Sequence, residues 1–150
     1  MKITEIRMSI LASKDNCVKA VAGIVLDDMI AIHGIKIVQL KNKTIVSMPS
    51  RKDDDGKWVD LVHPINHDMR KYIDENILTR FYALIQKKID ELQLPENYRV
   101  EYDLLNINIL RLISNDNSQN VISEYIINDY SKDTLKETLS DMLDEIEERN

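Results

Sequence analysis

A chain of 150 residues is long enough for one complete domain, or a small domain with an appendage, and folding buries roughly 70% of the surface of such a chain. Taken whole, its net charge of −6 at pH 7 argues against a polyanionic partner, and its single cysteine, Cys17, excludes an internal disulfide. No apolar run approaches the 18 or so residues of a membrane span, and the first ten residues alternate where an export signal has an unbroken apolar block. We therefore expect a cytoplasmic protein with no membrane association.

Strand patterns fill the first 65 residues. The alternation of apolar and polar side chains that is typical of a half-buried strand begins at Ile6. Turns are predicted at Asp27-Asp28, at 41–43 and at Asp55-Gly56, a pair suited to the positive φ of a tight hairpin. Short strands joined by short turns favour an antiparallel meander over a βαβ unit. The predicted strands cover residues 5–10, 18–26, 29–40, 44–48 and 57–62.

The period of the pattern then becomes helical. Asn66 can cap a helix through its side-chain oxygen, and Pro64 keeps the residue before it extended. Apolar residues recur at spacings of three and four, so we predict one long helix over residues 66–92. Leu78 and Tyr82 widen the apolar arc of this helix beyond the usual stripe. A second surface is therefore expected to cover it, either a dimer partner or the C-terminal piece.

The C-terminal piece is acidic and mixes strand and helix patterns. Residues 1–90 carry 15 Lys and Arg against 12 Asp and Glu, a balance of +3, whereas residues 91–150 carry 5 against 14, a balance of −9. Ser131 can cap a last helix with one apolar stripe and one acidic side. Before it we predict one or two strands over 98–113, a polar loop over 114–120, and a segment over 121–130 that is ambiguous between strand and helix.

These patterns predict an α+β fold with two parts. Residues 1–92 are expected to form a small twisted antiparallel β-sheet of about five strands followed by a long α-helix. Residues 93–150 are expected to form an acidic α/β extension that ends in a helix and packs on or beside the first part.

A cluster of three aspartates at 53–55, followed by Gly56, superficially suggests a calcium loop. If Gly56 took the sixth position of an EF-hand loop, Arg51 would hold the first and Val62 the twelfth, where a carboxylate and a bidentate glutamate are required. The pattern fails at both positions. A solvated hairpin tip is the better prediction.

Histidine, cysteine and glycine do not form a recognisable catalytic or metal pattern. His63 and His67 are four residues apart, but Pro64 and the helix cap place His63 outside the helix, so the two do not share a helical face. His33 lies in a predicted strand, and Cys17 has no recognisable activating partner. Three glycines are too few for a P-loop or a dinucleotide fingerprint. We expect no metal, no cofactor and no enzymatic activity.

Basic residues cluster on either side of the aspartates. Arg51 and Lys52 end one strand, Lys57 begins the next, and Arg70 and Lys71 lie in the first turn of the long helix. If the hairpin and the helix start face the same side, these cations could form a patch beside the helix-terminal N–H groups and bind phosphate. Alternatively they are ordinary solvating charges, partly neutralised by the neighbouring aspartates.

Four stretches carry a family resemblance: VKAVAGIVLDD, IHGIKIVQ, MPSRKDDDGKWVDLVHPIN and MRKYI. In this order, over about residues 1–87, they resemble the SpoVG family of bacterial septation and sporulation regulators. The resemblance implies a twisted sheet followed by a helix, a homodimer, and a regulator that binds DNA and RNA. It associates nucleic-acid contact with the helix start and nearby basic residues, which correspond to Arg51, Lys52, Arg70 and Lys71, and it makes His67 a candidate for sequence preference.

The chain departs from the family pattern at two places. Gly34 follows His33 where the family usually has aspartate, and some 60 residues extend beyond the family core. The extension could bind a protein partner, mimic nucleic acid on the cationic patch, or form an extra structural layer over the long helix. We favour the structural layer, because the apolar stripe of the last helix and the widened arc of the long helix both need covering. The alternative to a nucleic-acid-binding regulator is a protein-interaction adaptor whose extension binds a partner or blocks the nucleic-acid surface.

Overall fold

The computed structural model describes residues 1–12, 17–116 and 120–149 and confirms the α+β class. A four-stranded antiparallel sheet precedes a long helix, and a three-stranded sheet precedes a second helix. The elements in chain order are β1 (Ile3–Ile10), β2 (Val18–Leu26), β3 (Ile30–Gln39), β4 (Thr44–Ser47), β5 (Ser50–Lys52), β6 (Trp58–Asp60), α1 (His67–Asp90), β7 (Tyr98–Tyr102), β8 (Ile109–Ser114), β9 (Val121–Ile126) and α2 (Lys132–Arg149).

Alternation determines which face of the first sheet is buried. The strands lie in the order β1-β2-β3-β4, all antiparallel. One face of β2 is buried from Ala20 to Leu26, because successive side chains of a strand point to opposite faces. The predicted turn at Asp27 and Asp28 is confirmed, and both residues take positive φ, which aspartate tolerates better than most residues. The buried residues of this face are Ala20, Ala22, Ile24 and Leu26.

The predicted fifth strand does not join this sheet. β5 and β6 instead pair with each other as a separate two-stranded ribbon. Pro49 lies between β4 and β5, and a proline has no N–H to donate to a continuing ladder. Its carbonyl accepts a hydrogen bond from the N–H of Leu61 at 2.7 Å, which closes the root of the ribbon. Every residue from 51 to 63 is exposed, so the ribbon lies outside the core.

Helix α1 packs its apolar stripe into the core. It was predicted over residues 66–92 and is found at His67–Asp90, with Asn66 as its N-cap. The Asn66 side-chain oxygen accepts a hydrogen bond from the N–H of Met69 at 2.8 Å, which satisfies one of the free N–H groups of the first turn. The buried residues recur every four positions: Ile73, Ile77, Phe81, Ile85 and Ile89.

The C-terminal segment forms a second antiparallel sheet, in the order β7-β8-β9. The region over 98–113 gives two strands, and the ambiguous region over 121–130 is a strand as far as Ile126. Part of the predicted loop over 114–120 falls on residues 117–119, which lie outside the described residues. Helix α2 buries one stripe, consisting of Leu135, Thr138, Met142 and Ile146.

Both parts of the chain contribute to one hydrophobic core. Tyr102 of β7 stacks on Tyr82 of α1, with ring centroids 5.9 Å apart and planes 1° from parallel. The C-terminal segment thus contacts the wide apolar arc of α1. The domain boundary after residue 92 stays a prediction. Within the described ranges, no helix is both long and apolar enough to cross a membrane.

Two buried polar side chains fasten the C-terminal segment to the first sheet. The Gln39 amide donates to the carbonyl of Leu105 at 2.8 Å, and its oxygen accepts from the N–H of Ile107 at 3.3 Å. The ammonium of Lys19 donates to the carbonyl of Asn128 at 2.8 Å. Because buried polar groups cost free energy unless they are paired, these contacts specify how the two segments fit together.

Candidate nucleic-acid interface

The β5–β6 ribbon presents cations on both of its faces. Lys52 is paired in register with Trp58, and Arg51 with Val59. Successive side chains of a strand point in opposite directions, so the two cations lie on opposite faces of the ribbon. The Lys52 ammonium lies 5.4 Å from the centroid of the Trp58 ring, within the range of a cation–π contact.

The aspartate cluster forms the tip of this ribbon, which confirms the predicted hairpin. The Asp53 carboxylate accepts hydrogen bonds from the N–H groups of Asp55 and Lys57, each at 2.9 Å. Gly56 has a φ of 80°, a conformation that favours glycine because a Cβ would be strained there. Asp53 therefore serves the turn itself. No group of three or more His, Cys, Asp or Glu within the described ranges could hold a metal ion.

The start of α1 supplies the second group of polar residues. His67 is the first residue of the helix and is exposed. Lys71, one turn later, lies 3.8 Å from the Glu75 carboxylate, and the side chains of both are nearly two-thirds exposed. An ion pair this exposed contributes little to stability, so the Lys71 ammonium stays available to another anion.

Arg70 has a different environment from the other predicted site residues. Its guanidinium donates to the Val46 carbonyl of β4 at 2.6 Å and to the Asp74 carboxylate at 3.2 Å. The side chain is only 38% exposed. These contacts connect α1 to the first sheet and partly neutralise the charge, so Arg70 has a structural role that its sequence position does not reveal.

The Arg70 contact also relates the helix start to the ribbon. Val46 is five residues before Arg51, and a chain of that length spans at most about 18 Å between Cα atoms. Since Arg70 reaches Val46, the first turn of α1 and the root of the ribbon lie at the same corner of the first sheet. Of the predicted site residues, Arg51, Lys52, His67 and Lys71 are exposed, and Arg70 is partly buried against β4.

The remaining histidines do not join this region as a ligand set. His63 is exposed and its Nδ1 lies 3.0 Å from the carbonyl of Pro64, outside the helix as predicted. His33 lies on β3, with its ring so close to Gly23 of β2 that a Cβ there would lie 3.2 Å from His33 Nδ1.

Sequence reasoning did not single out the apolar side chains of this region. Trp58 is 64% exposed and Ile65 is 92% exposed. The sequence does contain an indication of this apolar surface, because five large apolar residues occur within eight positions, next to the acidic turn at residues 53–55. Exposed apolar side chains concentrated in one segment commonly mark an interaction surface. The five residues are Trp58, Val59, Leu61, Val62 and Ile65.

Comparison with known proteins identifies the family. A family model described as SpoVG matches residues 1–83. A relative from Macrococcus caseolyticus is 40% identical over 78 residues, which cover 52% of this chain and 67% of the relative. Relatives from Clostridioides difficile (33% over 90 residues, 59% of this chain and 97% of the relative) and Agathobacter rectalis (37% over 86 residues, 57% and 98%) also match. All three are named "Putative septation protein SpoVG". With more than half of its residues matched by the family model, the chain belongs to the SpoVG family.

Proposed function

We propose that this protein is a regulator that binds DNA or RNA through the ribbon and the start of α1, in a process linked to septation. The names of its relatives support the link to septation. The observation that carries the nucleic-acid hypothesis is the exposure of Arg51 and Lys52 on the ribbon and of His67 and Lys71 at the capped N-terminus of α1, whose first turn contacts the corner of the first sheet at Val46.

Helix geometry makes this corner suitable for phosphate. The first N–H groups of a helix lack intrahelical partners, and the helix dipole is positive at this end. The Asn66 side chain accepts from the N–H of Met69, and the Asn66 carbonyl accepts from the N–H of Arg70. An incoming phosphate would meet further N–H groups, with the Lys71 ammonium one turn along. The net negative charge of the whole chain does not oppose this, because residues 1–90 have a balance of +3 and the negative balance of −9 lies in residues 91–150.

The protein acts as a homodimer in this proposal. Two copies would present two cationic corners, and each phosphate neutralised adds to the affinity. Light scattering should then give about twice the protomer mass of 17.5 kDa. A mass of one protomer at binding concentrations would contradict the dimer. The binding site would then be tested on the monomer.

The salt dependence of binding tests the site directly. On duplex DNA, each neutralised phosphate contributes about −0.9 to the slope of log affinity against log salt concentration. Replacing Lys52→Ala and Lys71→Ala together should reduce the magnitude of this slope by the equivalent of one to two phosphate contacts per protomer. Fluorescence anisotropy measures the affinities. Arg70 is left intact, because its removal would also break the contact with Val46.

A matched control separates local contact from overall charge. Lys132→Ala with Lys136→Ala removes the same two charges from exposed positions on α2. The control pair should leave the slope unchanged. Equal effects of the two pairs would contradict the proposed site, and a folded wild-type protein that binds neither DNA nor RNA would contradict the function.

One observation favours an adaptor as the second candidate function. The acidic side of α2 is exposed. One of its residues, Glu145, accepts a hydrogen bond from Ser123 of β9 in the second sheet at 3.1 Å. In this alternative, α2 binds a basic protein partner. Affinity capture with the full chain, compared with a variant carrying Asp141→Asn, Asp144→Asn and Glu148→Gln, should then recover a partner that the variant loses. Recovery of the same proteins by both would contradict it.

A further inference from the structure

Trp58 is placed in an unusual environment for an indole. Large aromatic side chains bury most of their surface in folded proteins, since their area contributes strongly to the hydrophobic core. Trp58 is 64% exposed on β6, and the ribbon residues around it, from 51 to 63, are all exposed as well. Its aromatic surface therefore does little for the fold and is available to a ligand.

A cation is positioned beside this ring. Lys52 lies opposite Trp58 across the ribbon, with its ammonium 5.4 Å from the ring centroid. A flat aromatic face next to a positive charge is complementary to a nucleotide, which carries a flat base next to a negative phosphate. Arg51 extends the positive charge to the other face of the ribbon.

The geometry of stacking favours an unpaired base. Inside a duplex, the faces of each base are covered by its neighbours, so an aromatic side chain can stack only on a base that is unpaired or splayed out. A β-ribbon can also enter the major groove, but there sequence is read mainly by hydrogen bonds. The exposed carboxylates of Asp54 and Asp55 at the ribbon tip would be repelled by the two phosphate backbones that flank the groove.

We infer that Trp58 is a stacking platform for an unpaired base and that Lys52 binds the adjoining phosphate, so that the ribbon takes single-stranded DNA or RNA in preference to duplex. This inference rests on the proposed function and adds the class of nucleic acid to it. A second copy of this chain, packed on the apolar ribbon, is the competing occupant and is an outcome of the test.

The chain contains one tryptophan, so its fluorescence reports this position alone. The full-length protein is titrated with a single-stranded oligonucleotide and, separately, with the same sequence as a duplex. Single strands should quench the fluorescence of Trp58, because the base stacks on the indole, whereas the duplex should leave it nearly unchanged. Anisotropy of labelled strands gives the affinities independently.

Substitution then tests whether the ring itself matters. Trp58→Ala should weaken single-strand binding about tenfold, the effect of losing one stacked base, and leave duplex binding within about twofold. Trp58→Phe keeps a smaller ring and should restore most of the affinity. Leu104→Ala is the matched control, because it removes exposed apolar surface outside the ribbon without removing a ring, and it should have no effect. Circular dichroism verifies that each variant is folded.

The possible failures are distinguishable. Single-strand binding without quenching, or with the same affinity in Trp58→Ala, would overturn the inference and leave the proposed function standing. Tighter binding to the duplex would also overturn it. A blue shift of the fluorescence that grows with protein concentration, in the absence of nucleic acid, would assign the ribbon to a second copy. A folded protein that binds neither form overturns both the inference and the proposed function.

Discussion

The β5–β6 ribbon and the C-terminal segment contribute to the molecule in opposite ways. The ribbon lies within the residues that the family model matches, yet every residue from 51 to 63 is exposed. The C-terminal segment begins after that match ends, yet many of its apolar side chains lie in the same core as the first sheet and α1. They include Val100, Ile107, Leu110, Leu112, Tyr130 and Met142.

This comparison shows that family membership and structural integration are separate properties. The ribbon lies within the family match, yet its exposed side chains contribute little to the core. The C-terminal segment makes the stacking contact between Tyr102 and Tyr82 and both polar contacts of Gln39 with residues 105–107. A chain that ended near residue 92 would leave these surfaces open to water, so tests of function are best made on the full chain.

The largest expected effect is in the C-terminal segment. Leu110→Ala removes a fully buried side chain of β8 and leaves a cavity in the shared core. The free energy of unfolding should fall by about 2–5 kcal/mol. Chemical denaturation followed by far-ultraviolet circular dichroism measures it, because the exposed Trp58 is a poor reporter of the core. A loss below about 0.5 kcal/mol would show that the segment is not part of the core.

A smaller effect is expected from alkaline pH. The Tyr130 hydroxyl donates to the carbonyl of Ile107, and burial raises its pKa far above the ordinary value. The unfolded chain loses this proton near pH 10, whereas the folded chain keeps it. The free energy of unfolding should therefore be insensitive to this group below about pH 10 and fall above it, by up to about 1.4 kcal/mol per pH unit.

The buried Lys19 and two partly buried tyrosines, Tyr102 and Tyr125, affect the same titration. Burial lowers the pKa of Lys19, so its contribution to the free energy of unfolding rises with pH, opposite in sign to that of Tyr130. Burial raises the pKa of Tyr102 and of Tyr125, which adds to the Tyr130 effect. Denaturation of wild type and Tyr130→Phe between pH 8 and pH 11, as a rough range, should show a shallower decline in the variant. Parallel curves would contradict the assignment to Tyr130.

The smallest expected effect is in the ribbon. Leu61→Ala is the same chemical change as Leu110→Ala but at a side chain that is 62% exposed. The free energy of unfolding should change by no more than about 0.5 kcal/mol. The same denaturation experiment measures it. A cost near that of Leu110→Ala would mean that another molecule or a second copy covers the ribbon in solution.

Local patterns were sufficient to predict most elements. The alternation along β2, the spacing of three and four along α1, and the cap at Asn66 each depend on residues within a few positions of one another. The region over 121–130 was ambiguous, because its short apolar run fits strand and helix equally. Pairing with β8 decides it, since the hydrogen-bond partners of β9 lie across the sheet.

Most residues of the candidate site were predictable from the sequence, but their contacts and exposure were not. The cations were identifiable because they flank a turn and a helix cap, whereas His67 was a candidate only through the family resemblance. The hydrogen bond from the Arg70 guanidinium to the Val46 carbonyl was not predictable, because Val46 is 24 residues away in the sequence and no local pattern marks it. The exposure of Trp58 was also missed, because a tryptophan in a strand pattern is ordinarily expected to be buried.

The sequence by itself determined the α+β class, the positions of most strands and helices, and the family, because these depend on local periodicity and on motifs that can be compared directly. Only the tertiary structure decided that the ribbon stands apart from the first sheet and that the C-terminal segment shares its core. Gln39 shows why. In the sequence it is one polar residue in an apolar run, and its role appears only when folding brings residues 105–107, more than 60 positions away, within hydrogen-bond distance.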